Sequence, residues 1–325
     1  MGDIGHQMGF AEELNYGVAV TPTRFLEFTT ESLERRATIV TSAGIRAGRR
    51  YGGAGRRTTR EDAAGSMTFE VARQGFGLFF EHLLGDAASA QPNAGSSPTV
   101  WEHTFTPGTL IGKSLTLQKG VDTEDGTVEP FTYPGTKIVS ADFSNDQDGL
   151  LMVTLEFDAR EEETSTALAT ATYTDPVPFT YAEGTVQVDD VTMAAVRSVS
   201  SLRIQNNFNR QRFFLGSGGL KSEPINTPFD TLGGRLDVEF QDPADFYDLF
   251  VGDTAAKLEL YYVGGIIEDA YTYELHFTLN NVRFEGETPK VTGPELVYQN
   301  IPFVGLDHAS LDAITILYRT NDTAP

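Results

Sequence analysis

A chain of 325 residues without a single cysteine is long enough for two domains with real cores, and it can hold no disulfide and no thiolate metal site. Its net charge of −22 argues against a protein that grips nucleic acid, whose footprint would be basic. With 22 Phe, 12 Tyr and 32 Gly it reads as a folded, β-rich protein, and no apolar run approaches the length of a membrane span. The start, Met1-Gly2-Asp3-Ile4-Gly5-His6, lacks the basic region and apolar core of a signal peptide. Arginines outnumber lysines 18 to 6. An acidic, lysine-poor composition suits concentrated salt, where the Debye length is about 3 Å at 1 M, so a halophilic source is one expectation. The other is a merely acidic protein of an ordinary cytoplasm.

In chain order, Phe10–Val20 is too short and too punctuated by Gly17 for a helix, and a strand follows Pro22 at Arg24–Phe28, with another at Ala37–Val40. Thr41–Ala64 has no apolar periodicity. It holds Gly44, Gly48, Gly52, Gly53 and Gly55 together with Arg46, Arg49, Arg50, Arg56, Arg57 and Arg60. That is a long loop with a local inversion of charge, suited either to reaching an acidic surface on a neighbouring copy or to being a solvated tip. Phosphate binding fails on pattern, because no Gly-Lys-Ser/Thr ending is present.

Next comes a strand in which Met67, Phe69 and Val71 point one way and Glu70 the other. A short helix follows, with Phe76, Phe79, Phe80 and Leu83 on one stripe and Gly85 at its end. Strands at Val100–Pro107 and Ser114–Lys119 precede a hairpin, Lys137–Asn145 and Leu150–Asp158, over Asp146-Gln147-Asp148-Gly149. The hairpin alternates Val139, Ala141, Phe143 with Asp142, and Val153, Leu155, Phe157 with Glu156 and Asp158, as half-buried strands with one wet face. Glu161 to Pro176 is polar and weakly patterned, which places a domain boundary near residue 170.

The second half repeats the rhythm. A strand at Arg197–Gln205 leads to a long loop, 206–232, and a strand in which Leu236, Val238 and Phe240 alternate with Asp237 and Glu239. A helical stripe of Phe246, Leu249 and Phe250 follows, with Asp242 as N-cap and Pro243 at N1. Strands then follow at Lys257–Val263, Tyr271–Val282, Glu295–Phe303 and Ile314–Arg319. Gly65 thus matches Gly234 and Glu70 matches Glu239, and Glu102–Thr106 echoes Glu274–Thr278. These matches predict two tandem units, 1–170 and 171–325.

Catalytic patterns are missing from the sequence. The histidines His6, His82, His103, His276 and His308 have no metal-ligand spacing, and those on strands are packing or hydrogen-bonding residues by default. Asp122–Gly126 and Asp146–Gly149 are turn signals before they are calcium loops. No metal or cofactor is expected. A carbohydrate-binding or hydrolytic β-sandwich would need a concave patch of exposed aromatics, and Trp101 is the one tryptophan.

Gly9–Leu26, Glu31-Ser32-Leu33, Ser42–Arg50, Gly75-Phe76-Gly77, His103–Gly108 and Asp125–Phe131, in that order, resemble the tail tube proteins of long-tailed, non-contractile viruses of bacteria and archaea, the siphovirus type. The motifs span about residues 9 to 160, and the second half is similar in architecture only. The resemblance implies a mainly β fold. Each tail-tube unit would be a β-sandwich or half-barrel with one short flanking helix and a long loop. It further implies a structural virion protein with no enzymatic activity, made in the host cytoplasm and carried in the tail. Six units close a ring in that family, so two tandem units imply a ring of three copies with pseudo-sixfold symmetry, six copies being the alternative. Rings stack into a tube that conducts DNA without binding it specifically, beside tape measure, tail tip and tail terminator proteins. The Arg loop would contact the adjacent ring, and Asp142, Glu156, Asp158, Asp237, Glu239 and Glu274 would face the lumen. A secretion-system tube subunit shares this fold, but its chains are normally single units.

Overall fold

The computed structural model describes residues 5–52, 55–174, 177–291 and 293–325. The readings made on Met1–Ile4, on Gly53 and on Asp175-Pro176 lie outside the described residues. The strands of five or more residues are β1 (Gln7–Glu12), β2 (Glu34–Thr41), β3 (Arg56–Glu70), β4 (Gly85–Ala90), β5 (Trp101–Pro107), β6 (Leu115–Asp122), β7 (Val128–Asn145) and β8 (Met152–Ala159) in the first half. The second half has β9 (Gly184–Val188), β10 (Val196–Gln205), β11 (Thr231–Glu239), β12 (Ala256–Glu268), β13 (Tyr271–Phe284), β14 (Tyr298–Gly305) and β15 (Ile314–Thr320). Two α-helices, α1 (Gly77–Leu84) and α2 (Tyr247–Val251), complete a mainly β fold among the described residues. Neither is long and apolar enough to cross a membrane.

All the strand pairs are antiparallel. In the first half the order is β1-β6-β7-β8-β3-β2. In the second half it is β9-β12-β13-β14-β11-β10. The register also matches. Gly65 lies opposite Phe157 and against Leu33, while Gly234 lies opposite Phe303 and Leu202. A Cβ on Gly65 would sit 2.4 Å from the Ser32 carbonyl oxygen, and one on Gly234 would sit 2.1 Å from that of Ser201. Both strands close so tightly here that only glycine fits.

The halves share sheet and core. β7 pairs with β10, setting Phe143 opposite Leu202 and Asp142 opposite Arg203. β15 lies between β13 and β5, and β5 pairs on its other side with β4. Met67 and Phe69 on β3, Val71 just after it, and Val153, Leu155 and Phe157 on β8 are buried, as their alternation requires. α1 covers them. The Phe79 ring lies 5.5 Å from Phe69, and Phe80 lies 5.6 Å from Phe105 and 5.5 Å from Tyr318.

Three expectations are corrected. Arg56–Ala64 is not loop: it is the first part of β3, paired with β2 from Thr41↔Arg56 to Glu34↔Ala64. All eight residues of β2 and the first five of β3 are exposed, so this two-stranded arm buries neither face and leaves no period-two apolar signal. The Asp242-Pro243 pair does not cap the second helix. Asp242 accepts the Ala244 N–H at 2.9 Å in a preceding turn, and α2 begins at Tyr247. Finally, Glu102–Thr106 and Glu274–Thr278 hold different places in the sheet order. β13 stands where β7 does, while β4 and β5 form an added hairpin.

Candidate assembly and channel surfaces

Alternation along β3, β8, β7, β10 and β11 sends the apolar residues to the core and a hydroxyl-rich row to the opposite face. Ser66, Thr68, Asp142, Thr154, Glu156, Arg203 and Asp237 stand there. The hydroxyls of Thr68 and Thr154 meet at 3.1 Å, and Ser201 Oγ donates to Asp142 Oδ1 at 2.6 Å. Across the β7–β10 junction the face opens into a shallow concavity of about 540 Å³ lined by Ser140, Asp142, Thr154, Glu156, Ser200 and Arg203.

Four of the six candidate acids, Asp142, Glu156, Asp237 and Glu239, come together on this face, all partly buried. They are not a bare acidic wall. Arg210 donates to Glu156 at 3.0 Å, Arg197 reaches Asp237 at 3.3 Å, and Arg203 and Arg235 share the face. Asp158, expected on the wet side, is buried. The β7–β8 register breaks between Glu156 and Phe157, so alternation fails there and Phe157, Asp158 and Ala159 are all covered. Burial pushes the Asp158 carboxyl above its ordinary range even though Lys221 Nζ donates to it at 2.7 Å. Glu274 lies apart on β13, bound by Arg319, which also donates to Glu102 at 2.7 Å.

The arm carries the other candidates. Arg46, Arg50, Arg56, Arg57 and Arg60 are exposed and Arg49 half-buried. Arg49 donates to the Gly44 carbonyl at 3.2 Å, Arg57 to that of Arg56 at 2.9 Å, and Arg60 stacks 5.1 Å over Phe213. Among the described residues none of the six has a carboxylate partner, although eight other arginines do. Ile45 and Tyr51, beside them, are exposed apolar side chains.

Sequence reasoning missed what the 206–232 loop does. It straps the first half. The Glu61 N–H donates to the Gly219 carbonyl at 3.0 Å, and Lys137 pairs with Glu223 at 2.8 Å. Fully buried Lys221 bridges Asp62 at 3.1 Å and Asp158 at 2.7 Å. The one available signal was an isolated lysine, with apolar Leu220 beside it, in a chain with few lysines.

The chain thus presents a broad sheet with one dry face and one polar face, and an arm on which Arg46, Arg49, Arg50, Arg56, Arg57 and Arg60 have no carboxylate partner among the described residues. The chain belongs to the phage tail tube protein family, whose sequence model matches residues 5–305. No curated protein sequence matches it. It is thus a structural component of a virion tail, built into a stacked tube and working beside other tail proteins.

Proposed function

We propose that three copies of this chain close a ring of six similar units, that the rings stack, and that the bore conducts viral DNA during ejection without catalysis. The observation that carries this reading is the six-strand order found twice, in the same sense along one sheet, in the proposed units 1–170 and 171–325. Units repeated head to tail make a heterologous contact, which closes into a ring when the rotation allows it. The polar face of the sheet lines the bore. Its acids offset by Arg197, Arg203 and Arg235 leave little net positive charge, so counterion release, the force that makes proteins cling to DNA, has little to act on. Tape measure, tail tip and tail terminator proteins are its other partners, and no membrane is involved.

The arm joins ring to ring. Its glycine-rich tip is costly to order, and six arginines with no carboxylate partner among the described residues supply the compensation once they meet the acidic body of the next ring. Replacing Arg49, Arg50, Arg56 and Arg57 together with Ser should leave the subunit folded, by circular dichroism, and abolish tube growth in electron micrographs. Normal tubes from that variant would make the arm a solvated tip.

A further inference from the structure

The junction between the two halves is a template for the junction between copies. In the first half, the C-terminal part of β7 is flanked by β8 on one side and β10 on the other, with Phe143, Asp142, Ala141 and Ser140 opposite Leu202, Arg203, Ile204 and Gln205. The offset of 146 that takes Phe157 to Phe303 also takes Ile138 to Phe284, so Ser140–Phe143 corresponds to Gly286–Pro289. That segment is not a strand. It is tied to β14 by the Glu285 N–H on the Pro302 carbonyl at 2.8 Å and by Gln299 Nε2 on the Glu287 carbonyl at 3.2 Å. A cavity of about 430 Å³ stays open between it, β14 and α2, walled by Phe246, Tyr247, Phe250, Leu296 and Ile301. The counterpart of β10 is β2. Leu33 and Leu202 lie against the matched glycines, and β2 pairs on one side only, with β3, among the described residues.

We infer that residues 286–290 become a strand on assembly and take β2 of a second copy as their next neighbour, as β7 takes β10 within the chain. The inference rests on the ring reading above. The template sets Leu33 against Pro289, Glu34 against Thr288, Arg35 against Glu287 and Arg36 against Gly286. The charge fits. Among the described residues Arg35 pairs only with Glu61 on its own arm, and Glu287 only with exposed Lys290. Pro289 has no N–H to give, so the pairing is anchored on Gly286–Thr288. Unpaired sheet edges invite strand addition, and here both edges belong to the same chain.

The chain's lack of cysteine makes the test clean. Arg35→Cys and Glu287→Cys are placed in one chain, both at exposed positions. They lie at opposite ends of the sheet, roughly 30 Å apart at about 4.8 Å per strand. A disulfide spans a Cα separation of only about 4.4–6.8 Å, so any bond formed joins two copies. Mild oxidation of assembled protein should remove the monomer band on a non-reducing gel and yield a ladder ending at the covalent ring. Tubes in the microscope whose double-cysteine chains stay monomeric overturn this junction and leave the tube function standing. Absence of any assembly by the unaltered chain removes both. As a second measure, Arg35→Glu should weaken ring closure and Glu287→Arg in the same chain should restore it, whereas no rescue would count against the pairing.

Discussion

At the scale of single residues, the fold depends on polar groups that are buried and satisfied. Glu13 is covered, yet its carboxylate accepts from Ser114 Oγ at 2.6 Å, Thr116 Oγ1 at 2.8 Å, the Gly17 N–H at 2.8 Å and the Gly135 N–H at 2.8 Å. It pins the corner where β7 bends from β6 toward β8. His103 is also buried, hydrogen-bonded to Ser89 Oγ at 2.7 Å through Nδ1 and to the Asp322 carbonyl at 2.9 Å through Nε2. That set suits the neutral ring, with Nε2–H donating and Nδ1 accepting. Burial lowers its pKa below 6.5, the backbone contact to Asp322 only partly opposing this. As pH falls, the unfolded chain therefore protonates His103 first, and stability is lost from about pH 6.5 downward. His103→Gln should flatten the fall of the melting temperature between about pH 7.5 and about pH 5, the remainder coming from His276, whose pKa burial also lowers. An unchanged pH profile would mean that folding leaves the His103 pKa where the unfolded chain has it. The sequence reads His103 as a packing or a hydrogen-bonding strand residue, and its place on β5 makes it both buried and hydrogen-bonded.

At the scale of elements, what was legible followed burial. β8, β11 and β3 beyond the arm each bury one face, α1 is buried at every residue but Glu81, and their alternation or apolar run is plain in the residues. The arm, exposed on both faces, gave no such signal. β4, reading Gly-Asp-Ala-Ala-Ser-Ala, owes its strand to pairing with β5 and not to its own residues. The 206–232 strap was invisible for a third reason: a lysine bound to Asp158 and Asp62 looks in sequence like any surface lysine. Lys221→Met keeps the length of the side chain but leaves buried Asp158 without its cation. Removing one partner of such a pair costs about 3 kcal/mol. Urea denaturation should show that loss, and Lys221→Met with Asp158→Leu should recover most of it. A neutral single variant would show that the strap is held by its backbone contacts alone.

At the scale of the whole molecule, the sequence paired Gly65 with Gly234, and both lie where close strand approach admits no side chain. It misled through Glu102–Thr106 and Glu274–Thr278. These resemble each other because β15 serves both: Arg319 lies opposite Glu102 and Glu274, and Ile316 opposite Phe105 and Phe277. Similar sequences here record a shared neighbour, not equivalent places in two units. The candidate lumen acids were legible only as far as alternation held, which is why Asp158 was misplaced at the bulge.

The central claim is that one chain supplies two of six similar positions around a bore. Cryo-electron microscopy of the assembled protein, averaged down the tube axis, tests it most directly. The account predicts rings of three chains showing six similar lobes, with the Asp142–Arg203 face turned inward. Rings of six chains with twelve lobes, or that face turned outward, would contradict it.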